Sequence, residues 1–229
     1  MKKSITALIL ILTMVFSTAT AFANSSDADM EDMSIKLQVA AMIASVDMDL
    51  LLSNASEGVI DYTVPIEVRE SIVGSVDIVP ISSTSKAAIE YEMNTTIQKV
   101  GEIVVNDDIA TLYVAATGVK IDERSNSGTS SIWAWASVYW IDNFGVDNEF
   151  VGAQGTWSPG NTVISGRSVR YGKTDILGIG WSDDTTKYPT DNVAYYDSGL
   201  IGLTFKCQAK VTVVNIGTVT VTVCNSLFT

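Results

Sequence analysis

Apolar and polar positions divide the chain into three stretches of different period. Residues 7–16 (ALILILTMVF) are an unbroken apolar run between Lys2-Lys3 and the small-x-small sequence Ala21-Phe22-Ala23. A basic start, a short apolar centre and such an exit predict an export signal cleaved before Asn24, too short for a permanent span of roughly 20 residues. Residues 24–32 (NSSDADMED) read as a flexible acidic leader. From Met33 to Ser53 neither Pro nor Gly occurs, and Met33, Leu37, Ala40, Ala44, Met48 and Leu51 recur at helical spacing. Ile35, Leu37 and Val39 also alternate with Lys36 and Gln38, as in a strand; one helix is the favoured reading.

After Gly58 short β-branched runs alternate with turn residues almost to the end. Strands are predicted at 59–64, 74–79, 88–98, 102–105, 111–121, 132–141, 150–157, 162–171, 176–181, 193–196, 201–214 and 218–224, the pattern of an all-β sandwich or barrel. Polar breaks fall at 81–86 (ISSTSK) after Pro80 and at 123–130 (ERSNSGTS). The first is the better domain boundary, because it leaves enough chain for a complete sandwich. The expectation is a mainly β protein: a cleaved signal peptide at 1–23, a helical and extended segment at 24–84 acting as linker or pro-region, and an antiparallel β-sandwich at 85–229.

The last two strands can be read in register. Odd positions from 201 to 213 are Ile, Leu, Phe, Cys, Ala, Val and Val, while the even ones are mostly Thr, Lys and Gln. Val219, Val221 and Val223 alternate with Thr218, Thr220 and Thr222. One buried and one wet face follow. A three-residue turn, Asn215-Ile216-Gly217 with Gly217 left-handed, sets valine opposite valine; a two-residue turn would mismatch every pair. In that register Cys207 lies on the apolar face and Cys224 on the polar one. Two cysteines in an exported chain nevertheless favour a disulfide, which a bulge beside Cys224 would permit; two free thiols are the alternative.

Composition narrows the chemistry. The 229 residues carry a formal charge of −12 and no histidine, with 47% hydrophobic residues. Loss of the two lysines of the export signal takes the charge to −14, which repels nucleic-acid phosphates and anionic lipids. Without histidine there is no Ser-His-Asp or Cys-His system and no HExxH zinc site, and two cysteines do not make a four-ligand zinc site. No cofactor and no metal are expected, and any catalysis would rest on carboxylates, tyrosine or lysine.

Two constellations stand out. Trp133, Trp135, Ser137 and Tyr139 share one face of a strand, while Ile132, Ala134, Ala136, Val138 and Trp140 share the other. The second face suits a partner sheet; Trp133, Trp135 and Tyr139 on the first form a candidate platform for sugar rings, or else further core. The stretch 181–192 brings Trp181, Asp183, Asp184, Tyr188 and Asp191 into one candidate ligand loop, which an ordinary solvated connection also explains. Asp142-Asn143 and Asp147-Asn148-Glu149 offer oxygen ligands without EF-hand spacing, and Asp107-Asp108 marks a turn. Arg167 shares a strand face with Tyr171, and Arg170 opposes them.

The sequence thus points to a secreted bacterial protein without catalytic function. It would act extracellularly as a binding or structural module on cell-envelope glycan or a surface protein. The first alternative is a secreted effector, either an inhibitor or a pore-former inserting its valine–threonine hairpin. The second is a hydrolase using two carboxylates. No nucleic acid partner and no membrane span in the mature chain are expected, and oligomeric state is not readable.

Overall fold

A computed structural model describes residues 27–80, 88–105, 108–125, 128–142, 148–175, 178–214 and 216–226. The signal at 1–23, the start of the acidic leader, the 81–86 break, and Asp107, Asn143, Asp147 and Asn215 lie outside the described residues.

Among the described residues ten strands build two antiparallel sheets of five. One sheet runs β1 (Ile72–Pro80), β10 (Gly217–Asn225), β9 (Phe205–Val213), β6 (Ile164–Thr174), β7 (Trp181–Lys187). The other runs β2 (Ala88–Val105), β3 (Asp108–Ser125), β4 (Gly128–Asp142), β5 (Asn148–Ser158), β8 (Val193–Gly202). They pack as a β-sandwich around one core, in which Val219, Val221, Val223, Val211 and Ala209 of the first sheet meet Ile132, Ala134, Ala136, Val138 and Trp140 of β4. The inward face of β4 is therefore the one that its alternation assigns to a partner sheet.

Helices α1 (Asp27–Ser45) and α2 (Met48–Ser56) cover the outer face of the β2–β3–β4 region, and a short α3 (Ile66–Glu70) precedes β1. Val39, Ile43, Met48 and Leu51 of the helices close a second core over Ile103, Leu112, Val114, Tyr139 and Ile141. Among the described residues no helix is long and apolar enough to cross a membrane.

Several elements differ from expectation. The single helix is two: Asp47 stops α1 and caps α2, its Oδ1 accepting from the Leu50 N–H at 3.1 Å. α1 starts at Asp27, inside the acidic leader. Residues 59–64 form turns rather than a strand, because the Asp61 side chain accepts from both Thr63 N–H and Thr63 Oγ1. The segments 88–98 and 102–105 are one strand, bulged between Lys99 and Gly101. The long 201–214 run is broken at Leu203-Thr204, its beginning belonging to β8 in the opposite sheet. β1 lies upstream of the 81–86 break, yet pairs with β10 over nine residues and closes that edge of the sandwich.

The β9–β10 hairpin closes one residue earlier than predicted. Val213 faces Gly217, and Gly217, at φ +118°, takes the positive-φ position. Face assignments survive, since the register moves by two: Val211 faces Val219 and Thr212 faces Thr218. The predicted disulfide is absent. The ladder runs unbroken past Cys224, which pairs with Lys206 while Cys207 pairs with Val223, so no bulge turns the two sulfurs to one side. Both thiols are free and buried.

Candidate functional site

The outer face of the β2–β5 sheet carries two cross-strand ranks just beyond the helical cover. One is Glu92, Lys120, Trp133, Ser158; the next is Asn94, Gly118, Trp135, Thr156. Above them α2 presents Asp49, Leu52, Ser53 and Ser56, spaced i, i+3, i+4, i+7 and hence on one helical face. Helix and ranks enclose an open groove of about 430 Å³ with Trp133 and Trp135 lining it.

Two features hold α2 at the height that leaves this groove. Met48 and Leu51 are buried against the sheet, and burying each such side chain is worth about 1.5–3 kcal/mol. Leu52 rests over Gly118, where an added Cβ would stand only 3.0 Å from one Leu52 methyl. Glycine here sets the separation of helix and sheet.

The two indoles differ. Trp133 is 48% exposed, and the Lys120 ammonium lies 5.5 Å from its ring centroid and 3.5 Å from Asp122 Oδ2. Such a cation over an exposed indole is worth about 0.5–1 kcal/mol. Trp135 is partly buried against the helix-side core. Its Nε1 is buried and finds no acceptor among the described residues. A buried donor left unpaired costs about 1–3 kcal/mol.

Tyr139 does not join the platform. It is 1% exposed, its hydroxyl donating to Gln154 Oε1 at 3.2 Å and lying 3.7 Å from Met48 Sδ, with Tyr195 edge-on at 5.7 Å. Burial pushes its phenol pKa up. Strand alternation places the three aromatics on one face correctly, but α2 covers only the Tyr139 end of it.

The other predicted constellation disperses. Residues 181–187 are the edge strand β7, not a loop. Asp184 forms a two-pronged ion pair with Arg170 (Nε to Oδ2 2.7 Å, a terminal nitrogen to Oδ1 3.0 Å), and this hydrogen bonding holds its carboxyl below the ordinary value. Trp181 is occupied by cations, with the Arg170 guanidinium carbon at 4.5 Å and Lys206 Nζ at 4.7 Å from its centroid. Lys206 also donates to the Gly178 and Ile179 carbonyls at 2.9 and 2.8 Å, and burial lowers its pKa. This cluster fastens the bend before β7 to β9. Asp183, Tyr188 and Asp191 are exposed on the surface, and Arg167 donates to the Asn192 side chain.

Cys207 sits in the sandwich core and Cys224 beside the 178–180 bend; burial pushes their thiols up to about 12 and about 11. Among the described residues no group of three or more Cys, Asp or Glu could hold a metal ion.

Sequence patterning did not single out Asp49, Ser53, Ser56, Glu92, Asn94, Gly118 or Lys120. The one available signal was the polar stripe Asp49, Ser53, Ser56 at helical spacing beside Leu50, Leu51 and Leu52. Comparison of the chain with protein-family models, with curated proteins and with solved structures finds no match.

Proposed function

We propose that this is a secreted, non-catalytic binding protein that seats a short glycan segment in the groove between α2 and the outer sheet face. The observation that carries this reading is the floor, where two adjacent indoles line one groove. Indole faces suit the C–H faces of sugar rings. Ser53, Ser56, Asn94 and Ser158 provide hydroxyl and amide groups around them. A mostly apolar floor with a few polar groups is the usual make-up of small-ligand sites, whose volumes are roughly 300–1,000 Å³.

Titrating soluble cell-wall fragments and oligosaccharides against tryptophan emission tests this. A saturable change is expected, reduced in Trp133→Ala, which removes the exposed ring. No response across neutral, acidic and amino oligosaccharides would refute it. One observation favours a second reading: Asp49 and Glu92 reach the same groove from helix and sheet, and two carboxylates about a sugar are what a hydrolase requires. Release of reducing ends from a bound oligomer, abolished by Asp49→Asn, would decide for hydrolysis.

A further inference from the structure

We infer that two copies of this chain join edge to edge through β1, paired antiparallel about Val76, so that two five-stranded sheets become one continuous sheet. The inference stands apart from the glycan reading. It begins with two apolar side chains that face the core and still meet water. Tyr91 and Met93 of β2 pair with Ile121 and Val119 and so share their inward face. Ile121 and Val119 are buried between the sheets, yet Tyr91 is 59% and Met93 39% exposed. On the facing sheet β1 is the last strand among the described residues, and its Val76 and Ile78 are only partly buried against the core. An apolar strip is thus open along the β1/β2 side of the sandwich, and one more strand beside β1 covers it.

The sequence of β1 names that strand, because it is self-complementary about its centre. With Val76 opposite the partner's Val76, Ser75 meets the partner's Asp77, Gly74 the partner's Ile78, and Val73 the partner's Val79. Residues directly opposed in an antiparallel pair share a face, so Val73, Ser75, Asp77 and Val79, all exposed, stay on the outer one. There a hydroxyl faces a carboxylate twice and no two carboxylates are opposed. On the inner face the partner's Val76 and the partner's Ile78 extend the apolar layer that β1 begins. Pro80, which lacks an N–H, falls at the end of the overlap. The other edge strands are defended. β2 is bulged at Lys99/Gly101, and its Lys99 N–H is taken by Asp61 Oδ2 at 3.3 Å. The pairing of β8 is broken at Phe150/Gly152, and β7 is polar on both faces. Of the four edges only β1 pairs with its neighbour in unbroken register, and it carries a single charge, Asp77.

Sedimentation equilibrium of the chain from residue 24, over a wide range of concentration, should show a monomer–dimer equilibrium. Ser75 is exposed, so a charge placed there leaves the fold intact, which circular dichroism verifies. Ser75→Asp sets two carboxylate pairs face to face across the junction, whereas Ser75→Lys sets two ion pairs. Two such cross-strand pairs shift the dissociation constant by about fivefold, weaker in the first variant and tighter in the second. Added salt should shrink both shifts. Oxidation of Met93 by peroxide should slow as the dimer fraction rises. A chain that stays monomeric at every concentration overturns the inference; if its Met93 still resists peroxide, another part of the same chain covers the strip. A dimer indifferent to both charges, or weakened by both, pairs through another surface or register and overturns it as well. Sugar titrations leave this inference untouched, so its failure and that of the glycan reading are separately visible.

Discussion

A single methyl group added at Gly118 measures how tightly α2 is set against the sheet. The new Cβ would stand 3.0 and 3.1 Å from the two methyls of Leu52, well inside the contact optimum of about 3.5–4.0 Å. Gly118 does not have positive φ, so alanine suits its backbone and restricts the unfolded chain, a gain of about 0.4–1 kcal/mol. Overpacking costs about 1–3 kcal/mol, and Leu52 is only partly buried, so its side chain yields and the low end applies. Gly118→Ala should therefore be destabilising by about 0.5–1 kcal/mol net. In a Leu52→Ala background the clash is gone, and the same substitution should stabilise by about 0.5 kcal/mol. The coupling between the sites is then about 1–1.5 kcal/mol, measurable from urea midpoints of the four proteins in a double-mutant cycle. Equal effects of Gly118→Ala in the two backgrounds would refute the contact. So would stabilisation in the wild-type background.

Three further outcomes follow from other parts of the fold. Both thiols should resist a soluble disulfide reagent in the native protein and react fully in denaturant, since burial holds them at about 12 and about 11; recovery of a Cys207–Cys224 disulfide would contradict the β9–β10 register. Val221→Ala, at a fully buried site in the middle of β10, should cost about 2–3 kcal/mol, whereas Thr220→Ala on the adjoining wet position should stay within about 0.5 kcal/mol. Because the Asp184 carboxyl is held low in the folded state, its contribution is present above the unfolded carboxylate value and is lost as pH falls through the folded one. The pair lies at the protein surface, so the contribution is about 0.2–1 kcal/mol, and the stability gap between wild type and Asp184→Asn should close on acidification; a gap unchanged from neutral pH to strongly acidic pH would be incompatible with the pair.

What could be read in the sequence was local. The period-two alternation of 132–140 assigns each β4 side chain to its face without any knowledge of neighbours, and the valine–threonine pattern does the same for β10. What could not be read depends on contacts between distant segments. Whether Trp133, Trp135 or Tyr139 meets solvent is decided by where α2 ends, some 80 residues earlier in the chain. Residues 181–187 look like a loop because an edge strand facing water is polar on both sides, and its aspartates discourage pairing with other chains. The run at 201–214 shows one continuous alternation although Leu203-Thr204 carries the chain from one sheet to the other, a change to which periodicity is blind.

The same dependence bears on the N-terminal segment, which the sequence offers as a linker or pro-region removable near residue 85. β1 supplies nine paired residues along the edge of β10. Gly74 lies so close to Thr95 and Thr117 of the other sheet that no side chain fits there. Removing residues 24–84 would also bare Ile103, Leu112, Val114, Tyr139 and Ile141. At about 1.5–3 kcal/mol for each large apolar side chain, the loss is comparable to the roughly 5–15 kcal/mol that holds a typical domain folded. A fragment spanning 85–229 should therefore bind an apolar dye, aggregate, and lack a cooperative urea transition, while the chain from residue 24 shows one. A soluble fragment that unfolds cooperatively would refute this. It would mean that the outer sheet face tolerates water and that the helices act as a detachable cover, in which case Tyr139 would rejoin Trp133 and Trp135 as an exposed aromatic row.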